Sequence, residues 1–210
     1  CFADCPYAAI AMVPHPNQRI GRFLAQVDAD LCAGCGICAG ACPSSTPFRS
    51  TSLLITGIDL PQLTVGELRR RLQHALATSK AARPLVVFGC DHGARCAAAS
   101  GADVSAFSLL CAGQLPPSFV EYALRDGAAG VLVAACRDGG CEFRLGERMT
   151  AERLRGSREP RLRAGVATER LELVAAGPGD ESALSDALAR LRQRVQSMPM
   201  RTEPRRLHHA

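Results

Sequence analysis

The chain has 210 residues, enough for one mid-sized domain and a smaller module, and a formal net charge of +5. It has no apolar run of the roughly 18 residues that a membrane span needs, no signal-peptide pattern, and little aromatic surface for stacking on bases, with no Trp and two Tyr. These features argue against membrane insertion, secretion and nucleic-acid binding, and the eleven cysteines then fit reduced thiols in a cytoplasm.

The N-terminal part of the chain contains two groups of cysteines with the spacing of iron–sulfur ligands. The larger group has spacings of three, three and four and is followed by proline; it consists of Cys32, Cys35, Cys38 and Cys42. Glycines between its first members let the backbone wrap closely around one cubane. A structural zinc site instead favours two ligand pairs separated by a longer spacer. The run therefore predicts a 4Fe–4S cluster.

The smaller group repeats the end of such a run. Cys1 and Cys5 have the spacing of its last two cysteines, and proline follows Cys5 as it follows Cys42. In two-cluster ferredoxins the fourth cysteine of each run binds the other cluster. That rule predicts one complete cubane held by Cys5, Cys32, Cys35 and Cys38. It also predicts half of a second cubane at Cys1 and Cys42, whose other ligands would precede residue 1.

An alternative for this part of the chain is a chance match at Cys1 and Cys5, with Cys42 closing a single cluster. The first reading is supported by a resemblance, because residues 1–48 resemble a bacterial-type two-4Fe–4S ferredoxin with a truncated first run. Residues 19–27 fit a short strand or loop of such a module, and the hydroxyls of 44–48 fit the edge of a cluster pocket.

From about residue 50 the pattern changes to alternating helices and buried strands. Thr64 and Glu67 have the spacing of a capping box and begin a predicted helix that ends near Lys80. Apolar runs and helical periodicity then predict strands at 85–89, 104–110, 130–135 and 171–176, and helices at 116–126 and 182–196. Such alternation is typical of a parallel sheet with helices on both faces.

The predicted fold class is an α/β parallel-sheet domain with the layering of flavodoxin and Rossmann folds, preceded by a small α+β ferredoxin-like iron–sulfur module. The arginines of 144–163 alternate with glutamates, which is typical of a solvated helix face. The predicted units are an iron–sulfur module over 1–49, a connecting segment with a helix over 50–81, the α/β domain over 82–197 and a basic disordered tail over 198–210.

Three of the predicted strands end at a cysteine. Cys90, Cys111 and Cys136 occupy these positions, and Cys96 and Cys141 lie in the adjoining loops. Ligands of parallel sheets lie beyond the carboxyl ends of the strands, so we expect the five thiols to meet at one rim and form a metal or cluster site. The two glycines before Cys141 are predicted to let backbone N–H groups point at sulfur. A lone loop histidine is usually a surface residue, so His92 is left out of the ligand set.

These motifs resemble a known family. The segments Phe88-Gly-Cys90, Leu110-Cys111-Ala-Gly-Gln114 and 130–146 are similar to the delta subunit of methyl-viologen-reducing hydrogenase, over residues 82–196. The resemblance implies a 2Fe–2S cluster in this domain. Its ligands would be four of the following five cysteines, since the first pair is wider than the usual C-x-x-C: Cys90, Cys96, Cys111, Cys136 and Cys141.

The resemblance also implies electron transfer between a hydrogenase or formate dehydrogenase and a heterodisulfide-reductase-like flavoprotein. We therefore expect an iron–sulfur electron-transfer subunit or domain, a non-catalytic part of a cytoplasmic oxidoreductase complex, with redox protein subunits as partners. Any membrane attachment would come from a partner or from sequence before residue 1. No dinucleotide fingerprint is present in the sequence, so flavin or nicotinamide chemistry belongs to a partner or to further sequence.

Two other functions are compatible with the cysteines. One is a thiol–disulfide oxidoreductase that uses Cys136 with Cys141, or Cys90 with Cys96. The other is an interaction module held together by zinc. Iron and acid-labile sulfide in the purified protein would separate the cluster hypothesis from both alternatives.

Overall fold

The structure is a computed structural model that describes residues 1–43 and 56–199. The predicted polar edge at 44–48, the boundary at residue 49 and the tail after residue 199 lie outside the described residues. In the part of the chain that the structure describes, no helix is both long enough and apolar enough to cross a membrane.

The described part of the N-terminal module consists of a short helical turn (Phe2–Asp4), a hairpin and one turn of α-helix. Strands β1 (Ile10–Pro14) and β2 (Phe23–Val27) pair antiparallel. Helix α1 (Ile37–Gly40) lies within the second cysteine run and follows Gly36, whose φ of +74° favours glycine. Strand β2 lies within residues 19–27, for which the sequence predicts a short strand or loop. Strand β1 was not predicted, because most of its side chains are exposed and it shows no regular alternation.

The second domain is a four-stranded parallel sheet with helices on both faces, and this confirms the predicted fold class. Its strands lie side by side in the order β4 (Val104–Leu109), β3 (Leu85–Cys90), β5 (Gly130–Ala135) and β6 (Leu171–Ala175). One face is covered by α2 (Val65–Thr78), α3 (Ser118–Arg125) and α4 (Gly146–Arg155), and the other by α5 (Glu181–Gln196). The two central strands, β3 and β5, are buried along their whole length, which explains their continuous apolar sequences.

Helix α2 begins where the sequence predicts. The Thr64 hydroxyl accepts a hydrogen bond from the Glu67 N–H at 3.1 Å, which satisfies one of the free donors at the start of the helix. The Glu67 carboxylate does not reach back to Thr64 to complete a capping box. It pairs with Arg70 and Arg71 on the exposed side of the helix instead.

The N-terminal module packs directly on the α/β domain. Gly40 in α1 lies so close to Gly113 that a Cβ on Gly40 would overlap the Gly113 carbonyl oxygen. Asp4 forms ion pairs with two arginines of the second domain, Arg158 at 2.6 Å and Arg153 at 3.5 Å. Backbone contact and buried charge therefore hold the two units together.

The charged segment after residue 144 is not a solvated face along its whole length. Glu147 and Arg153 in α4 are only 8% and 1% exposed, so the prediction was wrong for them. Their side of α4 faces the N-terminal module and the cysteine-bearing rim of the sheet, which alternating charge does not reveal. Glu152 does behave as predicted and pairs with Arg148 across one helical turn.

The side chain of Cys96 packs on the face of the sheet that α5 covers, against Gly89 of β3. A Cβ on Gly89 would overlap the Cβ of Cys96 and lie 2.5 Å from its sulfur. The Cβ of Cys96 is fixed by the backbone of a short helical turn (Cys96–Ala99) and cannot swing away as the end of a long side chain would. The absence of a side chain at residue 89 is therefore a packing requirement.

We predict that Gly89→Ala lowers the free energy of unfolding of the metal-free protein by about 1–3 kcal/mol, because the added methyl group overpacks this contact. Urea denaturation measures the effect. Gly101→Ala is the matched control: a Cβ there meets no atom within 4 Å, so the change should stay within about 0.5 kcal/mol. The double variant Gly89→Ala/Cys96→Gly should regain part of the loss, and failure to do so would contradict the explanation.

Candidate iron–sulfur sites

The four cysteines predicted to hold the complete cubane line one cavity of about 310 Å³; they are Cys5, Cys32, Cys35 and Cys38. We call it the cysteine cavity. Residues 58–62 of the connecting segment form another part of its wall. Of the other described cysteines of this module, Cys1 and Cys42, neither lines it. The cavity thus contains the set that the crossover rule requires.

The chemistry of the cysteine cavity suits a cluster with four thiolate ligands. Burial raises the pKa of Cys38 to about 11 and also raises the pKa of Cys35, so both are thiols in the metal-free protein. Metal binding would therefore release protons. Backbone N–H groups stabilise negative charge on sulfur: Ala9 donates to Cys5 Sγ at 3.4 Å, and Ile37 donates to the sulfur of Cys35.

Cys1 and Cys42 lie outside this cavity, in the part of the module where the turn after Cys1 contacts α1. Cys42 is 7% exposed, and its sulfur accepts a hydrogen bond from the Gly57 N–H at 3.5 Å. Their assignment to a second cubane stays a prediction.

Four cysteines of the second domain form a closed ring of thiol contacts, which we call the thiol ring: Cys90, Cys111, Cys141 and Cys136, in that order around the ring. The sulfurs of Cys90 and Cys136 are 3.4 Å apart. Each thiol also shifts the pKa of the next one around the ring, and three of the four are buried.

The direction of the pKa shift alternates around the thiol ring. Hydrogen bonds from Cys111 and Cys136 lower the pKa of Cys90 to about 3 and also lower the pKa of Cys141. The same contacts raise the pKa of Cys111 and of Cys136, with Cys141 as the largest cause in both cases. Two corners of the ring therefore favour the thiolate, the form of cysteine that binds metal.

The thiol ring lies where the strand order of the sheet changes direction. The chain continues from β3 to β4 on one side, whereas β5 pairs with β3 on the other side. Cys90 ends β3 and Cys136 follows β5, so the two neighbouring thiols mark the point at which the two directions separate. Open α/β sheets bind their ligands at this crevice. The predicted location at the carboxyl rim agrees with the structure.

Backbone N–H groups point at the ring sulfurs, although not from the predicted residues. Three donors lie two residues after the cysteine, at His92 for Cys90, Gly113 for Cys111 and Phe143 for Cys141. Two more come from elsewhere, the Ala112 N–H for Cys90 and the Glu147 N–H for Cys141. The Gly139 N–H, expected to face sulfur, instead donates to the Glu147 carboxylate at 3.3 Å. The turns after the cysteines and the start of α4, rather than the two glycines before Cys141, thus supply the donors.

The first residue of helix α4, Gly146, leaves room for two sulfurs of the thiol ring. A Cβ on Gly146 would overlap the sulfur of Cys111 and lie 3.1 Å from that of Cys141. The next residue, Glu147, is 8% exposed, and burial is the largest cause that raises the pKa of its carboxyl group. Only glycine leaves the sulfurs room at residue 146, a requirement that the sequence did not reveal.

Cys96 lies apart from the thiol ring. Its sulfur contacts the carbonyl oxygen of Phe107 and the hydroxyl of Ser108, at 3.7 and 3.8 Å. The expectation that five thiols face one crevice therefore does not hold for this residue. The two candidate disulfide pairs differ accordingly. Cys136 and Cys141 are neighbours in the thiol ring, whereas Cys90 and Cys96 belong to different buried clusters.

The sequence analysis also considered His92 as a ligand and a site for a single zinc ion. His92 packs edge-on against Phe143, with ring centres 5.3 Å apart. In residues 1–43 and 56–199, no group of three or more His, Cys, Asp or Glu side chains converges in the way that ligands of a single metal ion do.

The cysteine cavity and the thiol ring share one buried apolar cluster. It consists of Cys35, Ile37, Cys111 and Met149, with Tyr7, Cys141, Phe143 and Leu145 packed against it. Tyr7 also lines the cysteine cavity. The guanidinium group of Arg144 lies 4.8 Å from the centre of its ring and donates to the Pro6 carbonyl at 3.1 Å. Apolar and aromatic side chains thus fill the space between the two cysteine groups.

The fold and the two cysteine groups define an iron–sulfur protein of electron transfer, with a ferredoxin-like module joined to an α/β domain. A family model described as methyl-viologen-reducing hydrogenase, delta subunit, matches residues 85–199, and one described as a 4Fe–4S dicluster domain matches residues 1–46. The chain belongs to the methyl-viologen-reducing hydrogenase delta subunit family. Both predicted resemblances are confirmed, as is 4Fe–4S binding by the N-terminal module.

The cysteine cavity yields a prediction about its fourth ligand. Cys5→Ser should abolish the EPR signal of the intact cubane after anaerobic reconstitution, because Cys5 lines the cavity with the other three ligands. Cys42→Ser is the matched control and should leave that signal in place. If Cys42→Ser removes the signal and Cys5→Ser does not, Cys42 closes a single cluster and the crossover assignment is wrong.

Proposed function

We propose that this protein relays electrons between a redox enzyme, such as a hydrogenase or formate dehydrogenase, and a heterodisulfide-reductase-like flavoprotein. The route would use the 4Fe–4S site of the cysteine cavity and a 2Fe–2S site at the thiol ring. The observation that carries the proposal is the buried apolar cluster that joins the two groups, because it brings Cys35 and Cys111 together. The clusters supply one-electron redox chemistry when bound.

The donor set of the thiol ring supports a 2Fe–2S site. Four cysteine thiolates are the usual ligands of such a cluster, and the ring provides four thiols with N–H donors beside them. Gly146 leaves room at the sulfurs of Cys111 and Cys141. Among the five candidate cysteines we therefore assign the ligands to the ring and leave Cys96 out.

The residues between the two sites have two tasks in this proposal. Ile37, Met149 and Tyr7 exclude water from the contact, which lowers the cost of rearranging solvent when charge moves. Arg144 holds Tyr7 in place through its contact with the ring and its hydrogen bond to the neighbouring Pro6 carbonyl. The chain itself thus supplies a short, dry contact rather than a substrate pocket.

The ligand assignment is tested by EPR spectroscopy and by iron and sulfide analysis of the reconstituted protein. Wild type should show a cubane signal and a 2Fe–2S signal on reduction. Cys111→Ser should remove the second signal and keep the first. Cys96→Ser is the matched control and should keep both, because its sulfur packs away from the ring. A wild type with only the cubane signal would contradict the proposal, as would loss of the 2Fe–2S signal in Cys96→Ser.

The same preparations distinguish the alternatives. A colourless protein with redox-titratable thiols would indicate thiol–disulfide exchange, and stoichiometric zinc without sulfide would indicate an interaction module. Electron relay itself is measured by supplying hydrogen and a hydrogenase, or formate and a formate dehydrogenase, and following reduction of a flavoprotein partner. Relay should stop in Cys111→Ser and continue in Cys96→Ser.

A further inference from the structure

Arg153 is the most deeply buried charged side chain of the described residues, at 1% exposure. A buried arginine loses its hydration, so it is retained only where other groups compensate its charge. Its Nη1 donates to the Gly113 carbonyl at 3.1 Å, and its Nη2 lies 3.5 Å from a carboxylate oxygen of Asp4. Its Nε has no hydrogen-bond partner in the described residues. The compensation that these groups offer is incomplete.

Both partners of Arg153 belong to loops that carry cysteines. Asp4 lies between Cys1 and Cys5, and its N–H donates to the Cys1 carbonyl at 3.2 Å. Gly113 accepts from Arg153 through its carbonyl, and its N–H donates to the sulfur of Cys111 at 3.4 Å. One side chain therefore bridges a ligand loop of the first module and a ligand loop of the second.

The Arg153 charge lies close to the loop that carries Cys111. Its guanidinium group and the sulfur of Cys111 bind the same residue, Gly113, through its carbonyl and its N–H, and burial is the largest cause that lowers the pKa of Arg153. A Cβ on Gly40, between Cys38 and Cys42, would lie 3.1 Å from Nη1 of Arg153. The guanidinium group thus lies against α1 of the iron–sulfur module while it binds the loop that follows Cys111.

We propose that Arg153 is a positioning and charge-compensating residue shared by the two iron–sulfur sites. It fixes the Asp4 and Gly113 loops against each other, and its positive charge favours the reduced form of the thiol-ring site, where an electron adds negative charge. This inference rests on the proposed function, because it assumes a redox centre at the thiol ring. A positive charge in a region of low dielectric constant acts more strongly than one in water.

Reduction potentials of the thiol-ring site, from EPR-monitored titrations, test the charge effect. Arg153→Met should lower the ratio of reduced to oxidised centres at a fixed ambient potential by about tenfold, which corresponds to about 59 mV for one electron. Arg153→Lys keeps the charge and should change the ratio by less than about threefold, since lysine lacks only the planar fork. Asp4→Asn should shift the ratio in the opposite direction, because it leaves Arg153 less compensated.

The matched control is Arg158→Met. Arg158 pairs with the same Asp4 at 2.6 Å but is 28% exposed, so water screens its charge. It should therefore change the ratio much less than Arg153→Met. Equal shifts in the two variants, or no shift in Arg153→Met, would overturn the charge effect. Loosening that lets water reach the site would raise the ratio, so it cannot produce the fall expected in Arg153→Met. If Arg153→Met does not fold, Arg153→Gln removes the same charge with a polar side chain and should lower the ratio in the same way.

Positioning is tested in the metal-free, reduced protein by site-resolved alkylation. Cys111 is 1% exposed, and its alkylation rate should rise at least about fivefold in Arg153→Met, whereas that of Cys96 should not change. An unchanged rate at Cys111 would overturn the positioning role. If the wild type shows no thiol-ring signal after reconstitution, the proposed function fails, yet the alkylation result still decides the structural part. The two failures can thus be told apart.

Discussion

The close backbone contact between Gly40 and Gly113 is the constraint on which the arrangement of the two sites depends. It exists because neither residue has a side chain: a Cβ on Gly40 would overlap the Gly113 carbonyl oxygen. Gly113 also connects this contact to the residues around the thiol ring. Its N–H donates to Cys111, and its carbonyl accepts from Arg153. Packing between the modules and the electrostatics of the thiol ring are therefore set at one turn.

The topology of the sheet explains why the ring forms from residues that are far apart in the sequence. Parallel strands place their carboxyl ends at one rim, and the change of direction between β3 and β5 opens a crevice there. Cys90 and Cys136 enter it from neighbouring strands, and the turns after them provide the N–H donors. A site for an organic ligand at this crevice would need space, whereas here the thiols themselves occupy it.

The sequence predicts the fold class, the strands that end at cysteine and the four cysteines of the cavity, because each depends on local spacing or on a rule of sheet topology. It does not show that Cys96 lies apart from the other four candidate cysteines, since the face on which a loop residue packs depends on where the chain returns to the sheet. The burial of Arg153 and Asp4 could not be predicted from the sequence either. Their burial arises from contact between two modules, and charge alternation in α4 gave the opposite indication. The glycine at residue 113, two positions after Cys111, is a signal in the sequence for the close contact with Gly40 and for the N–H donor to Cys111.

The two sites differ in their access to solvent, and this difference has a consequence for how the protein matures. Cys32 of the cysteine cavity is exposed, whereas Cys90, Cys111 and Cys136 are buried and Cys141 is half-buried, and Cys111 packs in one cluster with Ile37 of α1. We infer that a cluster-donating protein reaches the cavity more readily than the thiol ring once the chain has folded. If the proposed cluster at the thiol ring is inserted from outside, its insertion is then easier before α1 packs on the α/β domain than afterwards.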